Sequence, residues 1–152
     1  MTSWADVAAA EPQLAEQVRR TFAARRHATL CTLRRDGAPR ISGTEVEFTD
    51  DGELVLGMMP ASRKALDLRR DPRVAVHCPT VDPPEDDPAA WLGDGKVSGR
   101  VVELSDPTRT DEPHRFRVDV AEVVLTRVGT PADHLVLQWW RPGEGLRTQR
   151  RA

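Results

Sequence analysis

ELVLGMMPASRKALDLRRDP, residues 53–72, carries a strand, a break and a helix in succession. Residues 53–58 form an apolar, strand-like run that stops at Pro60, and residues 65–70 read as helix. Asp71-Pro72 ends that helix, because proline disfavours the α conformation in the residue before it. Ser62-Arg63-Lys64 therefore sits at a helix start with two adjacent cations. Backbone N–H groups there lack intrahelical partners and carry the positive end of the helix dipole, so a phosphate gains hydrogen bonds and charge complementarity together. Ser62 suits the N-cap, and its hydroxyl is equally available to the helix or to a ligand. The same residues also describe a capped surface helix with two solvated cations, so the flanking sequence has to decide.

Upstream, residues 28–33 are β-like, Asp36-Gly37 is a hairpin turn, and residues 39–48 continue as a second strand. Asp50-Asp51-Gly52 repeats the turn before residues 53–58. Ahead of this meander, Leu14, Val18 and Phe22 fall at helical spacing and predict an amphipathic helix over 11–26. Downstream, residues 73–78, 96–104, 116–128, 135–140 and 146–149 resume strand character, the last two joined by Pro142-Gly143-Glu144-Gly145. Residues 79–95 are rich in Pro, Asp and Gly and hold Asp82, Glu85, Asp86, Asp87 and Asp94 without a Lys or Arg, which predicts a solvated lid or edge loop, Trp91 excepted. Arg147, Arg150 and Arg151 read as a solvated basic tail. Consecutive hairpins, a helix in front and a short helix after the third strand argue for a mainly β antiparallel barrel of six to eight strands rather than βαβ units. No glycine-rich nucleotide fingerprint or P-loop is present, so a phosphate would rest on side chains and one helix end.

With 152 residues, one domain over 1–152 is expected. Hydrophobic residues at 39% and charged residues at 30% suit a globular chain, and a net charge of -2 gives no bias toward nucleic acid. No run is apolar enough to cross a bilayer and residues 1–10 lack a basic n-region, so neither membrane insertion nor export is expected and the cytoplasm is the default. Cys31 and Cys78 lie in strand-like runs without CxxC spacing and read as small buried hydrophobes. His27, His77, His114 and His134 are dispersed without zinc-ligand spacing, so no metal is expected, and His77 reads as a barrel-wall residue.

The ordered set Ala28-Thr-Leu-Cys-Thr-Leu, Asp36-Gly37-Ala38-Pro39-Arg40, Asp51-Gly52, Ser62-Arg63-Lys64-Ala65 and Asp71-Pro72-Arg73-Val74 resembles the pyridoxamine 5'-phosphate oxidase-like, FMN-binding split-barrel family. The resemblance implies a six-stranded split barrel that dimerises and holds two flavins at the subunit interface. It implies that Arg63 and Lys64 receive the cofactor phosphate, with Ser62 assisting. It also implies that Ser42, Gly43, Thr44, Glu45 and Val46 run along the flavin while Gly57 and Met58 flank the ribityl chain. Small residues there let the main chain approach the ring.

The departures are equally informative. Where true pyridoxamine phosphate oxidases carry an arginine for the cofactor phosphate and a lysine for the substrate phosphate, this sequence has Ser42 and Glu47. A carboxylate repels a substrate phosphate, so pyridoxamine phosphate is not the expected substrate. Residues 105–114 replace a substrate-binding helix with a Pro- and Asp-rich stretch, and His134 to Gln138 do not reproduce the oxidases' arginine and histidine in register. Trp139 and Trp140 point to opposite faces of a strand. One is expected in core or interface, and Trp139 near the cofactor mouth with Arg141 toward a phosphate or carboxylated tail. Two interface aromatics is the alternative.

A flavin brings its own hydride chemistry, so the lack of an acid–base cluster fits a homodimeric FMN-dependent oxidoreductase acting on an unidentified small molecule. Two alternatives stay open. A reductase using the deazaflavin coenzyme F-420 would need further cations such as Arg40 and Arg141, and a non-enzymatic flavin or haem binder would need no catalytic group.

Overall fold

The computed structural model describes residues 1–152. Its elements are α1 (Trp4–Ala10), α2 (Pro12–Ala23), β1 (His27–Leu33), β2 (Pro39–Phe48), β3 (Leu54–Met58), α3 (Arg63–Arg70), β4 (Arg73–His77), β5 (Asp94–Glu103), β6 (His114–Val128), β7 (Leu135–Arg141) and β8 (Gly145–Arg151). Gly37 and Gly52 both take φ of +85°, a left-handed conformation that costs glycine nothing, and their two turns fix β1, β2 and β3 as a meander. The strands run β3-β2-β1-β4-β5-β6 and close through a β3–β6 pairing, with β7 and β8 continuing beyond β6. The result is a closed six-stranded antiparallel barrel with a two-stranded extension, a split barrel as expected.

Strand β6 makes the split. Its 15 residues pair with β3 over Arg117 to His114 and with β7 from Val123 onward. Between these stretches a bulge skips Ala121, where Ser98 faces Glu122 but Gly99 faces Val120. A side chain on Gly99 would collide with the Asp119 carbonyl, so only glycine permits the bend.

The interior is one cluster of 24 buried residues. Alternation fills it from β1 (Ala28, Leu30), β4 (Val74, Val76) and β6 (Phe116, Val118, Val120), while α1 and α2 add Trp4, Val7, Leu14, Val18 and Phe22. Trp4 and Phe22 meet Phe48 edge-on, with ring centroids 4.7 and 5.7 Å away. Each such aromatic contributes roughly 2–3 kcal/mol of burial, which holds the helices over the barrel.

Three expectations change. The front helix is two helices, because Pro12 starts α2 at its first turn, where the missing N–H costs nothing, and α2 ends at Ala23 instead of running to 26. Before it, Ser3 and Asp6 form a reciprocal capping box that starts α1, and Ala5 donates to the Gly52 carbonyl. The acidic connection is shorter than 79–95, since Asp94 and Gly95 already pair with Thr126 and Leu125, and it contains a 3-10 turn at Pro88–Ala90 with the Trp91 indole donating to the Val81 carbonyl. The basic C-terminus is not a tail: Arg147, Arg150 and Arg151 are in β8, paired to β7.

Candidate functional site

The last cross-strand partners at this end of the β2–β3 pair are Glu45 and Gly57. Beyond them β2 stays with β1 while β3 turns off toward α3, and the gap is a cleft of about 740 Å³. Its walls are Gly43 to Glu47 of β2, Val55, Gly57 and Met58 of β3, Met59 and Pro60 of the turn, Lys64 of α3, residues 113–115 at the start of β6, and His27 at the start of β1. The Thr44 hydroxyl donates to the Gly57 carbonyl at 3.1 Å, so it braces the wall from inside.

One end of the cleft is built for an anion. Lys64 is half-buried, its ammonium donates to the Gly43 carbonyl, and no carboxylate pairs with it. Burial pushes its pKa below the ordinary 10.5, the mark of a cation losing water without gaining a counter-charge. At the same helix start the Ser62 hydroxyl oxygen is buried and has no hydrogen-bond partner, although Ser62 is the N-cap residue. The backbone N–H groups of Arg63 and Lys64 also have no acceptor within the chain. Free amide hydrogens and an unneutralised ammonium stand at one helix N-terminus, an arrangement that suits a phosphate, with the orphaned Ser62 hydroxyl behind them.

The turn that aims this helix is strained. Ala61 has φ of +58°, and its N–H donates to His114 Nε2 at 3.2 Å. Arg69 Nη2 lies 3.2 Å from the other ring nitrogen while its guanidinium is held by both carboxylate oxygens of Glu103 at 2.7 and 2.9 Å. Both neighbours are donors and a neutral imidazole has one acceptor nitrogen, so only one of these contacts is a hydrogen bond; buried His114 shapes the wall of the cleft.

The outer lip carries opposed charges. Glu45 pairs with Arg26 at 2.8 Å and Glu47 with Arg115 at 2.9 Å, all exposed. His27 Nε2 stands 3.9 Å from Glu45.

Among the residues singled out in the sequence, Gly43, Thr44, Glu45, Val46, Gly57, Met58 and Lys64 come together on this cleft. Ser42 is the neighbour of Gly43 on β2, opposite Leu30, and Ser62 lies behind the surface at the helix start; neither lines the cleft. Arg63 is exposed, has no carboxylate partner and does not converge with Lys64 within the protomer. Trp139 and Arg141 lie on β7, away from the cleft. Trp140 is core, Trp139 is half-exposed, and Arg141 is bound to Glu122 at 2.6 Å with Glu144 at 3.7 Å. Arg40 is likewise committed, to Asp67 at 2.6 Å. Sequence reasoning missed His27, His114, Arg115 and Met59 as lining residues. Met58 faces His114 only through the β3–β6 pairing, for which no local signal exists.

A barrel closed by β3–β6, split along β6 and opening beside a helix start defines a split-barrel protein. The chain belongs to the pyridoxamine 5'-phosphate oxidase family, whose profile matches residues 14–125. No curated protein matches the sequence. Among solved structures it is similar to PhzG from Burkholderia lata 383, seen in complex with tetrahydrophenazine-1-carboxylic acid, with a TM-score of 0.64 and 12% identity over 95% of this chain and 90% of that one. It is similar to a pyridoxamine 5'-phosphate oxidase-related, FMN binding protein from Nostoc punctiforme PCC 73102, with a TM-score of 0.62 and 12% identity over 93% and 96% of the two chains. It is also similar to a heme binding protein from Mycobacterium smegmatis, with a TM-score of 0.55 and 16% identity over 93% and 89%. At these identities the likeness is one of fold. No helix is long and apolar enough to cross a membrane.

Proposed function

We propose that this protein binds FMN in the β2–β3 cleft as a homodimer and acts as a flavin-dependent oxidoreductase on a small organic molecule other than pyridoxamine phosphate. The observation that carries this reading is the unsatisfied anion end: Lys64 without a counter-charge, the buried Ser62 hydroxyl without a partner, and two free N–H groups at the start of α3. These residues fit a terminal phosphate. Gly43 and Gly57 leave bare backbone on the adjoining walls, where a flat ring can lie against the main chain. FMN supplies hydride transfer when bound; the chain's part is to hold the phosphate, orient the ring and exclude water.

The dimer is supported by the outer sheet face. Cross-strand register sets Ile41, Cys31, Ala75 and Ser98 in one row across β2, β1, β4 and β5. Ile41 is 76% exposed, and this small, uncharged row beside the cleft suits a second copy. Across such an interface, Arg63 of one protomer and Trp139 of the other are the groups available to complete a site that one protomer leaves open.

FMN is favoured over coenzyme F-420 because the cations that a longer anionic tail needs are spent: Arg40 is held by Asp67 and Arg141 by Glu122. Haem is the second reading, favoured by one observation: exposed His27 at the cleft lip is the group an iron would take. Titration of the purified protein with FMN and separately with haemin, followed by flavin fluorescence and the Soret band, distinguishes them. Saturable flavin quenching with turnover of reduced FMN against quinones, nitro compounds or enones faster than free cofactor supports the proposal. A haem complex that forms in preference to the flavin complex rejects it.

A further inference from the structure

At the end of the barrel wall where β4 gives way to the acidic connection, the side chains of His77, Cys78 and Asp94 bring a nitrogen, a sulfur and a carboxylate oxygen within 4.8 Å of one another. The hydrogen bonds around them decide what the trio can hold. His77 Nδ1 lies 2.6 Å from the Cys78 carbonyl. A carbonyl only accepts, so Nδ1 carries the proton and Nε2 presents its lone pair. Nε2 lies 3.8 Å from Asp94 Oδ1, too far for a hydrogen bond. Two acceptors so placed leave room for a cation between them. Cys78 completes the set: its sulfur, on a residue 1% exposed, accepts the Gly95 N–H at 3.2 Å.

We propose that His77, Cys78 and Asp94 form a binding site for a borderline-soft divalent cation of the zinc class. Nitrogen, thiolate and carboxylate together are the ligand types such an ion takes at about 2.0–2.3 Å, with a water completing the tetrahedron. Ligands on a tetrahedral ion stand roughly 3.3–3.8 Å apart, so the trio closes by a small adjustment. A Nδ1–H held by a backbone carbonyl, leaving Nε2 for the metal, is the usual outer-shell arrangement of a metal-bound histidine. The Gly95 N–H directed at sulfur stabilises a thiolate in the same way. Binding through the Cys78 sulfur as a thiolate releases the thiol proton to water. Lys96, across the strand pair from His77, is exposed and makes no ion pair, so it leaves Asp94 available. The ligands come from two strands, which is why linear spacing did not disclose them.

The site is independent of the flavin reading, and its test uses the full chain after chelator treatment. Titration with cobalt(II) is expected to give visible ligand-field bands and a near-ultraviolet sulfur-to-metal band at one ion per chain, both displaced by zinc. His77→Gln and Asp94→Asn alter half-exposed residues and are each expected to weaken binding at least tenfold with unchanged circular dichroism. Cys78→Ser is expected to abolish the sulfur band. Absence of that band in the wild-type protein overturns the proposal, as does equal affinity in His77→Gln. It is also overturned if binding survives His77→Gln and disappears only when Asp82, Glu85, Asp86 and Asp87 are neutralised, which assigns the ion to the acidic loop.

Discussion

The Lys64 ammonium donates to the Gly43 carbonyl, tying the first turn of α3 to β2 across the mouth of the cleft. No carboxylate shares that charge, so Lys64 is a cost to the free protein and an asset to an anion complex. Lys64→Met is expected to weaken FMN binding at least about tenfold, the loss of one charged contact of roughly 1.5 kcal/mol or more, while thermal stability holds or rises. Burial lowers the Lys64 pKa, so the charging cost is present at neutral pH and disappears as the amine deprotonates. FMN affinity should therefore hold near pH 7 and fall on the alkaline side, starting below the ordinary 10.5. Fluorescence titrations across that range check the sign, and a flat profile counts against a role for Lys64.

Ser62→Ala should separate ligand binding from stability. An N-cap serine normally contributes about 1 kcal/mol through a bond to the first turn, but Ser62 makes no such bond. Its buried oxygen has no partner at all. Removing the hydroxyl is expected to leave the denaturation midpoint unchanged or higher, and to weaken FMN binding several-fold. If stability drops and binding does not, the hydroxyl serves the helix alone.

Gly57 and Gly43 test whether a ring lies against bare backbone. A Cβ at either position meets nothing within 4 Å in the free protein. Gly57→Ala is expected to fold normally, gaining up to about 0.5–1 kcal/mol from a stiffer unfolded chain. FMN affinity should nevertheless fall about tenfold, because the added methyl occupies cleft space. Equal affinity in the wild type and the variant would place the ring elsewhere.

How much of this was legible depended on how local the signal was. The bounds of β2 are legible because an Asp-Gly turn flanks it on each side, and the end of α3 because Asp71-Pro72 stops it, although α3 starts at Arg63, two residues before the run read as helix. By contrast, α1 went unread although Ser3 and Asp6 have capping-box spacing, since nothing local says that Trp4 will find Phe48. The cleft was half legible. Residues of β2, β3 and α3 come from one continuous stretch, whereas His114 and Arg115 reach it through a pairing that closes the barrel over a long sequence distance. Arg40 and Arg141 look like free cations in a sequence, and only coordinates reveal that Asp67 and Glu122 neutralise them.

Ile41 is the residue to change for the dimer. It stands mid-strand on the uncovered face of β2, with Cys31 directly opposite. Ile41→Glu places a charge there at no cost to the isolated fold, and sedimentation should shift from dimer to monomer with FMN affinity falling in parallel. A variant that stays dimeric with unchanged affinity would assign the interface to another face.

Asp67 connects the anion site to the fold, and its pH behaviour is the sharpest stability test. It is 3% exposed, yet Arg40 Nε donates to it at 2.6 Å, the Thr32 hydroxyl at 2.8 Å and Arg70 Nη2 at 3.1 Å. Burial alone would raise its pKa, and the bonds from Arg40, Thr32 and Arg70 more than reverse this, leaving it below the usual 3.8. A depressed carboxylate stabilises the fold fully above its unfolded pKa and loses that contribution as pH falls through the native value. Wild-type stability should therefore decline on acidification below about pH 4, and Asp67→Asn should flatten that part of the profile. At pH 7 the variant is expected to lose up to about 3 kcal/mol, because half-buried Arg40 keeps its charge without a counter-charge. Denaturant melts at pH 7 and pH 3 check both expectations. Since Asp67 ties α3 to β1 and β2, FMN affinity should fall as well, through a misaimed helix start and not through any contact with the ligand.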